Sequence, residues 1–273
     1  MSILTETFTL SSGHVIPKIG FGTWQIPEGS EAYGSVTEAL RVGYRHIDSA
    51  LAYGNERSVG RAIRDSGVPR EEIFITTKLQ AEIKDAKGAR EAFETSASNL
   101  DLGTVDLWLI HAPWPWQDMG SDHKAGNIEI WKVFEELHAA GRVRSIGVSN
   151  FDVEDLESLA SATEVTPHVN QIRWFIGNTQ PETTAYCHER DILVEGYSPL
   201  ATGKLLDDDR LSSIAEKYGK SVAQLSIRYL LEKDVLPLPK SVTPKRIEAN
   251  AQLDFHLEDD DVAALDRLSN SVD

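Results

Sequence analysis

Short runs of β-branched and aromatic residues alternate with longer amphipathic stretches along the whole chain. The runs IGFGTW (19–24), RHIDSA (45–50), IFITTK (73–78) and VDLWLIHA (105–112) read as strands, as do VRSIGVSN (143–150), HVNQI (168–172), ILVEGYSPL (192–200) and VLPLPKS (235–241). The periodicity between them predicts helices over 31–42, 55–66, 87–100, 125–140, 152–161, 179–189 and 221–233, with another over 243–252. Eight strands alternating with eight helices predict an α/β fold, a closed (β/α)8 TIM barrel, as a single domain over 1–273. FTLSSGHVIP (8–17) predicts an N-terminal β-hairpin covering the barrel floor, and EDDDVAALDRLSN (258–270) an extra C-terminal helix outside the ring.

Helix ends sharpen this reading. Gly141 is a C-terminal stop, Ser221 with Gln224 has capping-box spacing, and Thr243-Pro244 puts a capping hydroxyl before a proline at the first helical position. An open doubly wound sheet is the competing fold, but its G-x-G-x-x-G turn is missing: the first strand runs GFGTWQIP, without the third glycine.

Composition narrows the function. The net charge of −16, from 43 acidic and 27 basic residues, lacks the basic footprint of a nucleic-acid or anionic-membrane partner. It fits a soluble surface or one adapted to high salt. Cys187 is the single cysteine, so no internal disulfide is expected, and it reads as a small buried hydrophobe. MSILTETFTL lacks the basic start and apolar core of a signal peptide, and no apolar run approaches the ~20 residues of a membrane span. The expected location is the cytoplasm.

Four residues stand where predicted strands run out: Asp48 in YRHIDSA, Tyr53 in the following loop LAYGNE, Lys78 ending IFITTKL and His111 ending VDLWLIHA. A titratable group closing an apolar strand needs partners. Period two puts Phe74, Thr76 and Lys78 on one face, and Val105, Leu107, Leu109 and His111 on one face, so Lys78 and His111 are expected to meet Asp48 over the barrel mouth. A tyrosine with an ordinary pKa near 10 is a poor acid at neutral pH. An adjacent Lys78 ammonium, held by Asp48, is expected to lower it, making Tyr53 a general acid and His111 a donor that orients a substrate oxygen.

The chain resembles the aldo-keto reductases, specifically the small prokaryotic type similar to 2,5-diketo-gluconate reductases and aldehyde reductases. IPKIGFGTWQI, GYRHIDSALAYGNE, ITTKL, VDLWLIHAPWP, IGVSNF, VNQI, EGYSPLATG and LPKSVTPKRIEAN carry the likeness over nearly the whole length. The resemblance implies the barrel, reduction of a small-molecule carbonyl by NADPH (leaving NADP), and a catalytic tetrad on Asp48, Tyr53, Lys78 and His111. It implies cofactor contacts from Gly22, Thr23, Trp24 and Asp48, a carboxamide clamp of Ser149, Asn150 and Gln171, and Tyr197 stacked on the nicotinamide. Ser198, Pro199, Leu200 and Gly203 would lie beside the pyrophosphate, and Lys240, Ser241, Val242, Thr243, Arg246 and Asn250 at the adenosine 2′-phosphate. A monomer is the family's common case.

An anion site at Lys240 and Arg246 also makes physical sense unaided, because cations at a capped helix start favour the extra phosphate of NADP. Two departures stand out: Ala249 where the family usually carries an acid, and RWFIGNTQ after VNQI in place of an acid and His-Pro. Trp24, Trp114 and Trp116, with Tyr53 and His111, are candidates for the substrate wall, Trp174 and Phe175 weaker ones. A regulatory NADP-binding barrel similar to potassium-channel β subunits is the alternative. A glycosidase is set aside because the fourth strand ends in His111 and not in a carboxylate.

Overall fold

The computed structural model describes residues 2–268. An antiparallel hairpin of β1 (Thr7–Thr9) and β2 (Val15–Pro17) comes first. Eight parallel strands follow: β3 (Phe21–Gly22), β4 (His46–Asp48), β5 (Phe74–Leu79), β6 (Val105–Ile110), β7 (Val143–Ser149), β8 (Val169–Arg173), β9 (Leu193–Tyr197) and β10 (Leu236–Leu238), each paired with the next. Two backbone hydrogen bonds join the ends of the sheet, Gly20 N to Pro237 O at 3.1 Å and Gly22 N to Pro239 O at 3.0 Å, so the sheet closes into the expected TIM barrel. Gly20 makes this seam possible. A Cβ there would lie 2.5 Å from Leu238 Cδ2 and 2.6 Å from His46 Nδ1.

Strand alternation sorts the apolar residues into two cores. Phe74, Leu107, Leu109, Val169, Leu236 and Leu238 fill the barrel interior, and Leu10 and Ile16 of the hairpin close its floor. Ile47, Ile73, Ile75, Trp108, Ile146, Val148 and Val194 face outward into the larger core under the helices. Val105, expected inward, packs in that outer core instead, because the strand is only entering the barrel there. Trp108 shows the scale of the outer packing: it is fully buried, with the Phe134 ring stacked at 3.7 Å and the Phe93 edge at 5.0 Å. Burying such a ring contributes about 4–6 kcal/mol by area alone.

The helices are α1 (Ser30–Val42), α2 (Glu56–Asp65), α3 (Ala86–Leu100), α4 (Lys124–Ala139), α5 (Val153–Ala160), α6 (Pro181–His188), α7 (Asp209–Lys217), α8 (Val222–Glu232), α9 (Pro244–Asn250) and α10 (Asp259–Asp266). Ser221 and Gln224 form the expected capping box, and Gly141 adopts φ 70° just beyond α4. Thr243 stands at the start of α9, but its hydroxyl makes no capping bond; its backbone N–H donates to Ser241 Oγ at 3.1 Å. The tail helix ends at Asp266, and the expected extension over 269–270 lies outside the described residues. Helix α7 is an addition to the sequence reading. It is capped by Asp208, whose carboxylate accepts from the Arg210 and Leu211 N–H groups. Only Leu211 and Ala215 of α7 are buried, too narrow a stripe to register as periodicity.

Candidate active site

Parallel strands deliver their last inward side chains to one end of the barrel. Asp48 ends β4, Lys78 stands one residue before the end of β5, and His111 follows β6. Tyr53 closes a short 3-10 turn, Leu51–Tyr53, that folds back over the opening. Lys78 Nζ donates to both Asp48 carboxylate oxygens, at 2.7 and 2.8 Å, and to Ser49 O at 2.8 Å. Its remaining contact is Tyr53 Oη at 3.4 Å. An ammonium has three N–H bonds. With one shared across the carboxylate and one on Ser49, the third is left to face the phenol. The His111 ring meets the Tyr53 ring edge-on, with centroids 5.5 Å apart. All four expected residues converge.

Their electrostatics differ from expectation in one respect. Lys78 is fully buried; burial opposes its charge, but Asp48 and Tyr53 outweigh that and its pKa is raised. Tyr53, expected to be lowered, is pushed up to about 12. Burial of the phenolate dominates, and the Lys78 ammonium recovers only part of it. His111 is brought down to about 3, by burial first and then by Lys78, and is therefore a neutral imidazole at neutral pH. Its Nδ1 is buried without a hydrogen-bond partner among the described residues, which leaves Nε2 as the nitrogen to meet a ligand.

The expected cofactor contacts form a second network around the same opening. Asn150 Nδ2 donates to His111 O at 3.0 Å and to Ser149 Oγ at 3.1 Å, while Asn150 Oδ1 accepts from Tyr197 Oη at 2.8 Å. Ser149 Oγ donates to Gln171 O at 2.8 Å. Gln171 Nε2 is spent on Asp48 Oδ1 at 2.9 Å and on Glu195 Oε2 at 2.7 Å. The proposed carboxamide clamp is thus held by internal bonds, and Gln171 Oε1 has no hydrogen bond among the described residues. Thr23 is fully buried, with its hydroxyl on Asp48 O at 2.9 Å, so it braces the Asp48 backbone; Gly22 is buried within β3, and Trp24 is the exposed position after it.

Strain collects at this end of the barrel. Gln25, Asn150, Ser198, Ala201 and Thr202 all hold left-handed φ values between 48° and 61° in the loops that follow β3, β7 and β9. Such conformations cost about 1–3 kcal/mol each in non-glycine residues and persist where surroundings enforce them. Pro199 and Leu200 lie within the same turn, and Gly203 takes φ 97° at its end. Beyond β10, Lys240, Thr243 and Arg246 are exposed, as is Val242, whereas Ser241 and Asn250 are buried. Neither Lys240 nor Arg246 makes an ion pair among the described residues.

Trp24 and Trp116 are the exposed tryptophans, and Trp116 stands edge-on to His111 with centroids 5.5 Å apart. Trp114, half-buried, packs edge-on against Trp116 at 5.2 Å. Trp174 and Phe175 do not join this wall. Both are buried, and Trp174 Nε1 donates to Thr184 Oγ1 at 3.1 Å. The sequence reading passed over Glu195, a fully buried carboxyl beneath the tetrad; an acid on the inward phase of an apolar strand was the available signal. Cys187 is buried as expected, with its thiol pushed up to about 11 by burial.

The barrel and its loops have close counterparts among known proteins. The chain is 42% identical to the glyoxal reductase of Bacillus subtilis over 267 residues, covering 97% of this chain and 94% of that one. It is 40% identical to the methylglyoxal reductase DkgA of Escherichia coli over 262 residues, covering 95% and 92%. The crystal structure of an aldo/keto reductase from Brucella melitensis superposes with a TM-score of 0.90 at 45% identity, covering 97% and 99%. The Bombyx mori aldo-keto reductase, solved in complex with NADP, superposes with a TM-score of 0.88 at 34% identity, covering 98% and 94%. The aldo/keto reductase family model matches residues 18–270, and the chain belongs to that family.

Proposed function

We propose that this protein reduces aldehydes or ketones to alcohols with NADPH, using Tyr53 as the proton donor. The observation that carries the reading is the Asp48–Lys78–Tyr53 relay with the His111 ring at its side. NADPH, when bound, supplies the hydride that the carbonyl carbon accepts. Tyr53 gives its hydroxyl proton to the carbonyl oxygen, so the product is a neutral alcohol and the tyrosine is left as a phenolate. Lys78 stabilises that phenolate, Asp48 keeps Lys78 charged and fixed, and the phenolate regains its proton from solvent. His111, neutral, offers a hydrogen bond to the same oxygen and shares in orienting the substrate. A Tyr53 pKa well above neutrality keeps the residue protonated before each turnover, as a donor must be.

The residues present fit the cofactor. Gln171 Oε1 is left without a hydrogen bond among the described residues as an acceptor for a carboxamide, Tyr197 offers a half-buried ring, and Lys240 with Arg246 are two cations unpaired among the described residues of a strongly acidic chain. Cations so placed favour the 2′-phosphate of NADPH over NADH. The wall of Trp24, Trp114 and Trp116 suits small dicarbonyls and aromatic aldehydes better than heavily hydroxylated sugars. Every residue of the relay comes from one chain, which supports action as a monomer. No helix among the described residues is long and apolar enough to cross a membrane.

The test is NADPH consumption by purified protein with methylglyoxal, aromatic aldehydes, simple ketones and diketo-sugar acids, beside Tyr53→Phe. Turnover with NADPH that falls about 100- to 10,000-fold in the variant is the expected result. Tight NADPH binding without turnover on any carbonyl would instead favour a cofactor-sensing barrel.

A further inference from the structure

Beneath the relay lies a second acid that the reaction as written does not use. Glu195 sits on β9 directly opposite Gln171 of β8, both on the inward face. Its carboxyl is fully buried, its Oε2 accepts from Gln171 Nε2 at 2.7 Å, and its Oε1 has no partner among the described residues. The other hydrogen of the same amide goes to Asp48 Oδ1 at 2.9 Å. One amide nitrogen therefore ties two carboxyl groups together, and one of them holds Lys78. Two carboxylates beside one buried ammonium cannot both be ionised cheaply.

We infer that Glu195 is a positioning residue: as a neutral carboxyl it holds the Gln171 amide against Asp48, and on ionising it becomes a second anion facing Lys78 that makes Tyr53 a poorer proton donor. This rests on the reading of Tyr53 as the donor. The groups facing Glu195 are Asp48 from β4, Lys78 from β5 and Gln171 from β8; β10 contributes the apolar Leu236 and Leu238, and Tyr197 follows on β9 itself. Lys78 is the single cation of that set. Burial first, and then the Asp48 charge, push the Glu195 carboxyl up to about 8, against the smaller pull of Gln171 and Lys78. When the Glu195 proton leaves for solvent, the cluster changes from one carboxylate and one ammonium to two carboxylates and one ammonium. The added anion raises the proton affinity of the Tyr53 phenolate, and reduction slows.

The same amide explains a choice of orientation. With both Gln171 hydrogens committed to Asp48 and Glu195, its Oε1 is left as an acceptor. A glutamine free of Glu195 could turn over and present its NH2 group instead.

The experiment is a pH series of NADPH-dependent reduction by wild type and Glu195→Gln, paired with infrared difference spectra of the cofactor-free protein between about pH 7 and pH 9.5, around the Glu195 transition. A loss of about ten-fold in wild-type kcat across a step near pH 8, flattened in Glu195→Gln, is expected. So is a protonated-carboxyl band that wild type shows near neutrality, loses at high pH and lacks in the variant. Identical alkaline limbs in the two proteins, or no such band, would overturn the assignment. Should wild type turn over no carbonyl, the reductase reading fails, and the infrared titration alone decides Glu195: a band lost near pH 8 upholds its ionisation beside the relay, and its absence overturns it. The wild-type difference spectrum needs no variant, so a misfolded Glu195→Gln leaves the test intact.

Discussion

Lys78 Nζ sits 2.7 Å from Asp48 Oδ1, inside the barrel, with the lysine wholly shielded from solvent. The pair is held by Ser49 O on the lysine side and by Gln171 on the aspartate side, so neither charge is left with an idle valence. That is the condition under which a buried ion pair is tolerated.

Removing one partner therefore does more than remove a contact. Lys78→Met leaves the Asp48 carboxylate uncompensated beside Glu195, and a loss of about 3–5 kcal/mol in unfolding free energy is expected. Asp48→Asn, which keeps an acceptor for Lys78, is expected to lose less stability than Lys78→Met while still slowing reduction at least ten-fold. Denaturant melts and kcat for the two variants check both statements.

Acid should destabilise this protein through its buried histidines. His46, His111 and His168 are buried and brought down to about 3, 3 and 4, burial being the chief cause in each. The unfolded chain takes up protons on these residues near pH 6.5 while the native one does not. Their contribution to stability is accordingly present above about pH 6.5 and is lost as pH falls towards 4. Thermal melts across that window should show a falling Tm, and His46→Gln should flatten the fall. A Tm constant from pH 7 to about 4.5 would refute the idea.

Cofactor choice should reside in two exposed cations. Lys240→Ala and Arg246→Ala are each expected to raise KM for NADPH by about 10- to 100-fold, the worth of a charge-assisted contact, with little change for NADH. Equal losses with both cofactors would place these side chains away from the 2′-phosphate.

Closure of the barrel depends on the missing side chain at Gly20. Gly20→Ala sets a methyl group 2.5 Å from Leu238 and 2.6 Å from His46, both of them buried side chains that would have to shift. Overpacking of this kind costs about 1–3 kcal/mol, measurable by denaturant unfolding. Gly13→Ala, at a hairpin position with open space, meets no atoms and isolates the backbone effect of losing a positive-φ glycine.

Much of this was legible in the order of residues alone. Alternation of period two and period 3.6 is a local property, so the eight strands and the meeting of Asp48, Lys78 and His111 at one barrel end followed from it. Apolar runs that end in titratable groups mark the opening of the barrel. Helix α7 escaped because two buried residues in nine make no stripe. The Thr243 hydroxyl was expected to cap α9 from a motif, but the Arg246 N–H donates to the Thr243 carbonyl instead. Trp174 and Phe175 were ambiguous as aromatics on a loop, and only the helix packed over them showed that they are core.

The energetics of the site depend on the folded barrel. The expected lowering of Tyr53 considered its nearest charge, whereas the outcome depends on how much water the folded loop leaves around the phenol, and there desolvation exceeds the Lys78 attraction. Glu195 is 117 residues from Lys78 in the chain and touches the relay only because the sheet closes, bringing β9 round to face β4 and β5. Strand phase sets which side chains share the inward face, apart from Val105 at the start of β6, which joins the outer core. Their protonation states and their partners across the barrel depend on closure and on exclusion of solvent, neither of which is a property of any local segment.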